Sequence, residues 1–122
     1  MFADLVHTIY YIYRVPRGAA DRFLEVTSAA SDLYRRHGAL DSFMMRITAA
    51  SAQYACAGLK DVVCVRDDEE LFLGIDSFRH ADECRKLLAV IDADPDIEKL
   101  FQAVQKIIDV STVVRWEATS AG

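Results

Sequence analysis

The spacing of the apolar residues changes from helical to strand-like at Gly38, and this change limits the chain to folds that mix helices and strands. In residues 19–37, apolar side chains recur three and four positions apart, which predicts an amphipathic helix. Basic residues fill the last turn of that helix, where they suit its negative end, and Gly38 can take the left-handed conformation that ends a helix. Residues 39–48 then predict a strand.

Further strands are predicted where branched and aromatic side chains cluster. The first of them is followed by Pro16 and Gly18, which are typical of the end of a strand. Residues 61–66 are rich in valine and predict a short additional strand, whereas residues 49–59 are small, uncharged and aperiodic and predict a loop. The main predicted strands besides residues 39–48 are residues 6–15, 71–78 and 111–119.

A second helix is predicted for residues 79–91, and the helical pattern then breaks at Asp94. Asp94 is a typical N-cap residue, and Pro95 suits the first position of a new helix because its backbone angle is already helical. The apolar side chains that follow keep helical spacing and predict one continuous apolar face. This face consists of Ile97, Leu100, Phe101, Val104, Ile107 and Ile108.

The resulting order of elements is β-α-β-β-α-β, with the second helical unit split at Asp94. This order predicts an α+β, ferredoxin-like fold, in which one four-stranded antiparallel sheet carries its helices on one face. Because 122 residues is the size of one domain, residues 1–122 are predicted to form a single domain.

Composition narrows the classes of function. The net charge of -5 disfavours a nucleic-acid partner. No apolar run approaches the roughly 18 residues that a membrane-spanning helix needs, so no membrane contact is expected. The three cysteines are scattered and odd in number, which favours a reducing, cytoplasmic location. The sequence has no C-x-x-C pair and no cofactor-binding loop, so neither a metal nor a cofactor is expected.

Both faces of the predicted sheet are apolar, whereas helices can cover only one of them. At about 25 cal/mol per Å² of apolar surface, covering the second face is worth several kcal/mol. A second copy of the sheet is the simplest cover, so we expect a homodimer. The first strand illustrates the two apolar faces. One alternating set is His7, Ile9, Tyr11 and Tyr13, and the other is Val6, Thr8, Tyr10 and Ile12.

Four short motifs occur in order along the chain: Val15-Pro16, and residues 37–41, 67–69 and 93–95. In this order they resemble the dimeric α/β-barrel superfamily, in which two ferredoxin-like sheets pack face to face. Within it the chain is most similar to the bacterial YbaA-like family of unknown function, and more distantly to antibiotic-biosynthesis monooxygenases. The resemblance implies a dimeric α/β barrel with a cavity in each half, lined by the inward sheet face and one helix.

Polar side chains on a mixed sheet face predict a site in that cavity. Asp76 is predicted to act as a base, and Arg46 to stabilise the anion that forms. Tyr10 and Trp116 are predicted to bind the substrate. The ligand expected from this set is a small aromatic or enolic molecule, which the protein binds or oxidises in the manner of a monooxygenase.

Other interpretations of the same residues stay open. Arg46 and Asp76 can form an ordinary ion pair between strands or subunits. Arg115 and Glu117, rather than Trp116, can belong to the inner face. A ligand-sensing or structural homodimer without catalysis also fits the pattern, so the sequence does not decide whether the protein is an enzyme.

Overall fold

The structure, a computed structural model, describes residues 5–121 of the chain. Within this range no helix has the length and apolar character needed to cross a membrane. The strands are β1 (His7–Pro16), β2 (Asp41–Arg46), β3 (Glu69–Phe78) and β4 (Val114–Thr119), and the helices are α1 (Ala20–His37), α2 (Ala81–Asp92) and α3 (Pro95–Gln105).

The four strands form one antiparallel sheet in the order β2-β3-β1-β4, and the helices lie on one of its faces. This arrangement confirms the predicted α+β, ferredoxin-like fold. Phe23 of α1 packs on Val15 and Phe72 to form one core cluster. Cys84 of α2 packs with Ile9, Phe78 and Ala39 in a second cluster. The helices therefore bury only one side of the sheet.

Two helix boundaries confirm the predicted signals. Gly38 ends α1 in the left-handed conformation, with φ of 115°, and its backbone N–H donates to the carbonyl groups of Tyr34 and Arg35. Asp94 caps α3 by accepting a hydrogen bond from the backbone N–H of Asp96 at 2.9 Å, with Pro95 in the first turn. Both signals act within one turn, so the local sequence is sufficient to specify them.

The prediction of a strand at residues 61–66 is wrong. Leu59–Asp61 forms a single 3-10 turn, and the residues after it are irregular until β3 begins. β3 already has a strand on each side, and Val62 is 76% exposed, so this segment has neither a free strand edge on β3 nor burial to hold it there. The last strand also starts later than predicted, because Asp109 caps a 3-10 turn at Val110–Thr112.

The register of the strands decides which side chains share a face. β1 pairs with β3 so that even-numbered residues lie opposite odd-numbered ones. On the face away from the helices, which we call the open face, two rows of apolar residues therefore cross all four strands. These rows are Phe43, Ile75, Tyr10 and Trp116, and Met45, Leu73, Ile12 and Val114.

Candidate functional site

A cavity of about 650 Å³ lies between the helix-bearing face of the sheet and helices α1 and α3. We call it the sheet–helix cavity. Its wall is largely apolar, and its volume is within the range of small-molecule sites. The side chains that matter most for its chemistry are Tyr11, Tyr13, Tyr34, Asp76, Leu100 and Val104.

The cavity exists because α3 stands away from the sheet. All residues of α3 are described, and none of them is fully buried although the helix has a continuous apolar face. Phe101 on this face is 50% exposed. Gly74 of β3 also lines the cavity, and a Cβ atom there would lie 3.1 Å from the ring of Tyr13 and 3.3 Å from the methyl group of Met44. The glycine therefore gives these two side chains room in the cavity wall.

Asp76 is a carboxylate in this wall, and it takes part in a short chain of hydrogen bonds. Its carboxylate accepts a hydrogen bond from the Ser42 hydroxyl at 2.7 Å, and Ser31 Oγ lies 2.9 Å from Ser42 Oγ. Burial raises the pKa of Asp76 to about 6, against the opposing effects of the Ser42 hydrogen bond and the Arg115 charge. A carboxylate with this pKa is ionised at neutral pH and is a stronger base than an exposed aspartate.

Three tyrosine rings share the cavity wall with Asp76. Burial raises the pKa of Tyr11, Tyr13 and Tyr34 above the ordinary value, so all three phenols stay protonated near neutral pH. The rings of Tyr11 and Tyr13 stack with centroids 5.7 Å apart, and the Arg115 guanidinium lies 5.7 Å from the Tyr11 ring. The wall thus combines flat aromatic surface with hydroxyl groups that can donate hydrogen bonds.

The four residues predicted as one site are divided between the two faces of the sheet. Asp76 lines the sheet–helix cavity, but Tyr10 and Trp116 stack on the open face with ring centroids 5.2 Å apart. Arg46 is on the helix side, yet it pairs with Glu70 at 2.9 Å and stands over the Phe72 ring. The prediction that these four residues form one cluster is therefore wrong. The alternative, an ion pair between Arg46 and Asp76, is wrong as well.

The physical reason for this correction is the strand register. The alternation of side chains within each strand is predicted correctly. Alternation alone cannot show which set of side chains in one strand shares a face with which set in the next strand. Tyr10 pairs with Ile75, not with Asp76, so the two polar side chains point in opposite directions. Arg115 and Glu117 lie on the helix side of the sheet together with Asp76. The sequence had left open whether these two residues or Trp116 share its face.

Sequence reasoning missed the contribution of α1 to the cavity. Tyr34 and Ser31 keep the helical spacing of a buried stripe, so they were indistinguishable from ordinary core positions. The one available signal was polarity, because a serine and a tyrosine on an otherwise apolar stripe need hydrogen-bond partners when they are buried. Ser31 has that partner in Ser42.

The similarity of this chain to known proteins lies in its fold. No protein-family model and no curated protein matches the sequence. Among solved structures, it is similar to a variant of SnoaB, a cofactor-independent oxygenase from Streptomyces nogalater, with 16% identity and a TM-score of 0.58 over 98% of this chain and 96% of that one.

Two further structures show the same likeness. An antibiotic biosynthesis monooxygenase matches with 10% identity and a TM-score of 0.56, over 95% of this chain and 97% of that one. A protein from Pseudomonas aeruginosa matches with 10% identity and a TM-score of 0.64, over the full length of both chains. The structural neighbours are thus proteins with the ferredoxin-like fold of antibiotic biosynthesis monooxygenases, and at these identities the likeness concerns the fold alone.

Proposed function

We propose that this protein binds a small planar aromatic or enolic molecule in the sheet–helix cavity and oxidises it with molecular oxygen, without a cofactor. The observation that supports this proposal is the position of Asp76, a carboxylate of raised pKa in the wall of a largely apolar cavity. Two other carboxylates line the cavity, Asp92 and Glu98, but both are exposed. Asp76 is therefore the base best suited to act on a bound molecule.

In the proposed reaction, Asp76 takes a proton from a CH₂ group that is acidic because a carbonyl group lies next to it or is joined to it through an aromatic ring. The phenols of Tyr11 and Tyr34, which stay protonated, donate hydrogen bonds to the resulting oxyanion. Oxidation of a CH₂ group to a carbonyl group then supplies the four electrons that reduce O₂. One oxygen atom enters the product and the other leaves as water, so the reaction needs no outside reductant.

The fold is consistent with this chemistry but does not select it, since related folds carry many reactions. One structural neighbour is a cofactor-independent oxygenase, which makes oxygen a reasonable co-substrate to test first. Membership in the YbaA-like family rests on the sequence motifs, and a cytoplasmic location rests on the three free cysteines. Both belong to this proposal.

The proposal includes a homodimer in which two open faces pack together as a barrel. Support comes from the two apolar rows of the open face, where Met45, Val114 and Trp116 are 39–44% exposed in the single chain. Stacked Tyr10 and Trp116 would then stabilise the interface and the sheet instead of contacting the substrate. Arg46, paired with Glu70, would hold the end of β2.

Anthrone, a planar tricyclic compound with an enolisable CH₂ group, is a suitable first probe. We expect wild-type protein to bind it and to consume one O₂ per anthrone oxidised. Asp76→Asn should bind within a few-fold of wild type but react about 10²–10⁴ times more slowly, the usual worth of a general base. Asp21→Asn, which changes an exposed aspartate on α1, is the matched control and should leave the rate unchanged.

Either of two results would overturn this proposal. If Asp76→Asn reacts as fast as wild type, the base is wrongly assigned. If anthrone and a panel of planar phenols bind to neither protein, the cavity is not a site for this class of molecule. Binding without oxygen uptake would favour the alternative, a ligand-sensing dimer, for which the satisfied hydrogen bond between Ser42 and Asp76 already offers some support.

A further inference from the structure

Three side chains of metal-binding type meet under α2, at the end of the sheet where β1 begins and β4 ends. His7 is the first residue of β1, Glu117 lies in β4, and Cys84 lies in the first turn of α2. One ring nitrogen, one carboxylate oxygen and the thiol sulfur all lie within 4.8 Å of one another. We propose that this cluster binds a divalent metal ion of the zinc class.

The donor set suits such an ion. Zinc accepts sulfur, nitrogen and oxygen ligands together and imposes little geometric preference of its own. With bond lengths of about 2.0–2.3 Å, the ligand atoms of a tetrahedral zinc site lie roughly 3–4 Å apart. The three atoms here lie within 4.8 Å of one another, and the 2.6 Å contact between His7 Nε2 and Glu117 Oε1 has to open to admit the ion.

Neighbouring side chains hold two of the ligands in a binding orientation. Thr119 Oγ1 lies 2.9 Å from His7 Nδ1, which leaves Nε2 directed at the cluster. Arg115 donates to Glu117 Oε2 at 2.9 Å, which leaves Oε1 directed at the same point. Metal-binding histidines and carboxylates generally have their outer atoms fixed by hydrogen bonds of this kind. The cluster therefore has the orienting contacts of a metal site as well as its ligands.

A nucleophilic role for Cys84 fits the geometry less well. The residue is only 2% exposed, so an organic substrate cannot reach its sulfur. A bare ion can enter, because the Glu117 side chain is 38% exposed and opens the cluster to solvent. Three protein ligands would leave the fourth position of a tetrahedral zinc site to water. None of the three ligands lines the sheet–helix cavity, so this inference goes beyond the proposed function.

Cobalt(II) is the probe, because it occupies zinc sites and gives an intense near-ultraviolet charge-transfer band when a thiolate binds it. The full chain, without a histidine tag and stripped with a chelator, should bind one Co²⁺ with this band, and Zn²⁺ should displace it. Cys84→Ser should abolish the band. His7→Gln and Glu117→Gln should each weaken binding at least about tenfold, since even residues that only orient a ligand are worth that much.

The chain provides its own control. Cys56 and Cys64 are exposed and lie outside the cluster, so the double variant Cys56→Ser, Cys64→Ser should keep the band and the stoichiometry. A band that disappears in this double variant, or one that persists in Cys84→Ser, would overturn the proposal. So would wild-type protein without any band. Circular dichroism checks the fold of each variant, and the surface change Glu117→Gln gives a reading even if Cys84→Ser does not fold.

Discussion

At the scale of single residues, Asp76 is the cavity carboxylate whose pKa is raised by its surroundings. Its pKa is raised from 3.8 to about 6 because the charged form loses water in the cavity wall. Between about pH 4 and pH 6 the unfolded chain gives up this proton while the folded protein keeps it. Asp76 therefore lowers the stability of the folded state as pH rises through this window, by roughly 2–3 kcal/mol in all, with no further change above it.

Asp76→Asn should remove this cost, since asparagine can still accept the hydrogen bond from Ser42. We expect urea unfolding at pH 7 to show the variant roughly 1–3 kcal/mol more stable than wild type, and a difference near zero at pH 4. A protein that becomes more stable when a buried charge is removed has kept that charge for another purpose, which here is the proposed proton transfer.

Asp21→Asn is the control for this experiment, and it should show no such change between pH 4 and pH 7 because Asp21 is exposed. Loss of stability in Asp76→Asn at pH 7 would mean that the carboxylate is structurally required. The unfolding measurements would then no longer support a role for Asp76 as a base.

At the scale of elements, the sequence specified what depends on a few neighbouring residues. The end of α1 at Gly38 and the start of α3 at Asp94 were both predictable, because capping is local. Which side chains of neighbouring strands share a face was not predictable, because this depends on a register that the whole sheet determines. Asp76 therefore lies in the wall of the sheet–helix cavity, whereas Tyr10, which was predicted to share its site, lies on the open face.

Gly38→Ala tests the local part of this account. Alanine in the left-handed conformation is strained, so the variant should lose roughly 1–2 kcal/mol of stability in a denaturant melt. The nearest atoms to a Cβ at Gly38 belong to Leu87 at 3.5 Å, an ordinary contact, so the loss reports backbone strain and not a clash.

Gly18→Ala is the matched control, because its Cβ would meet nothing within 4 Å and no positive φ is required there. It should change stability by less than about 1 kcal/mol in either direction. Equal losses at both glycines would show that α1 does not depend on the left-handed end at Gly38.

At the scale of the whole molecule, the open face is the largest feature that local patterns could not resolve. The sequence indicated that both faces are apolar, but the structure shows that Met44 faces the helices whereas Met45 lies on the open face. The cavity itself was not predictable in detail, because it depends on how far α3 stands from the sheet. That distance is set by packing between elements far apart in the chain.

Met45→Asp tests the proposed homodimer. A carboxylate buried without a partner between two sheets costs several kcal/mol, so sedimentation at micromolar concentration should change from dimer to monomer. Val90→Asp, at a residue 53% exposed on α2, is the control and should stay dimeric. Wild-type protein that sediments as a monomer, or Met45→Asp that remains a dimer, would contradict an interface on the open face.

The central claim, that the sheet–helix cavity is the binding site, can be tested with one measurement on protein labelled with ¹³C at the methionine methyl groups. Met44 lines the cavity, and its neighbour Met45 points to the opposite face of the sheet. On titration with anthrone, the account predicts a saturable shift of the Met44 methyl signal while the Met45 signal stays nearly unchanged. A saturable shift of Met45 alone, or no shift of Met44 at saturation, would contradict it.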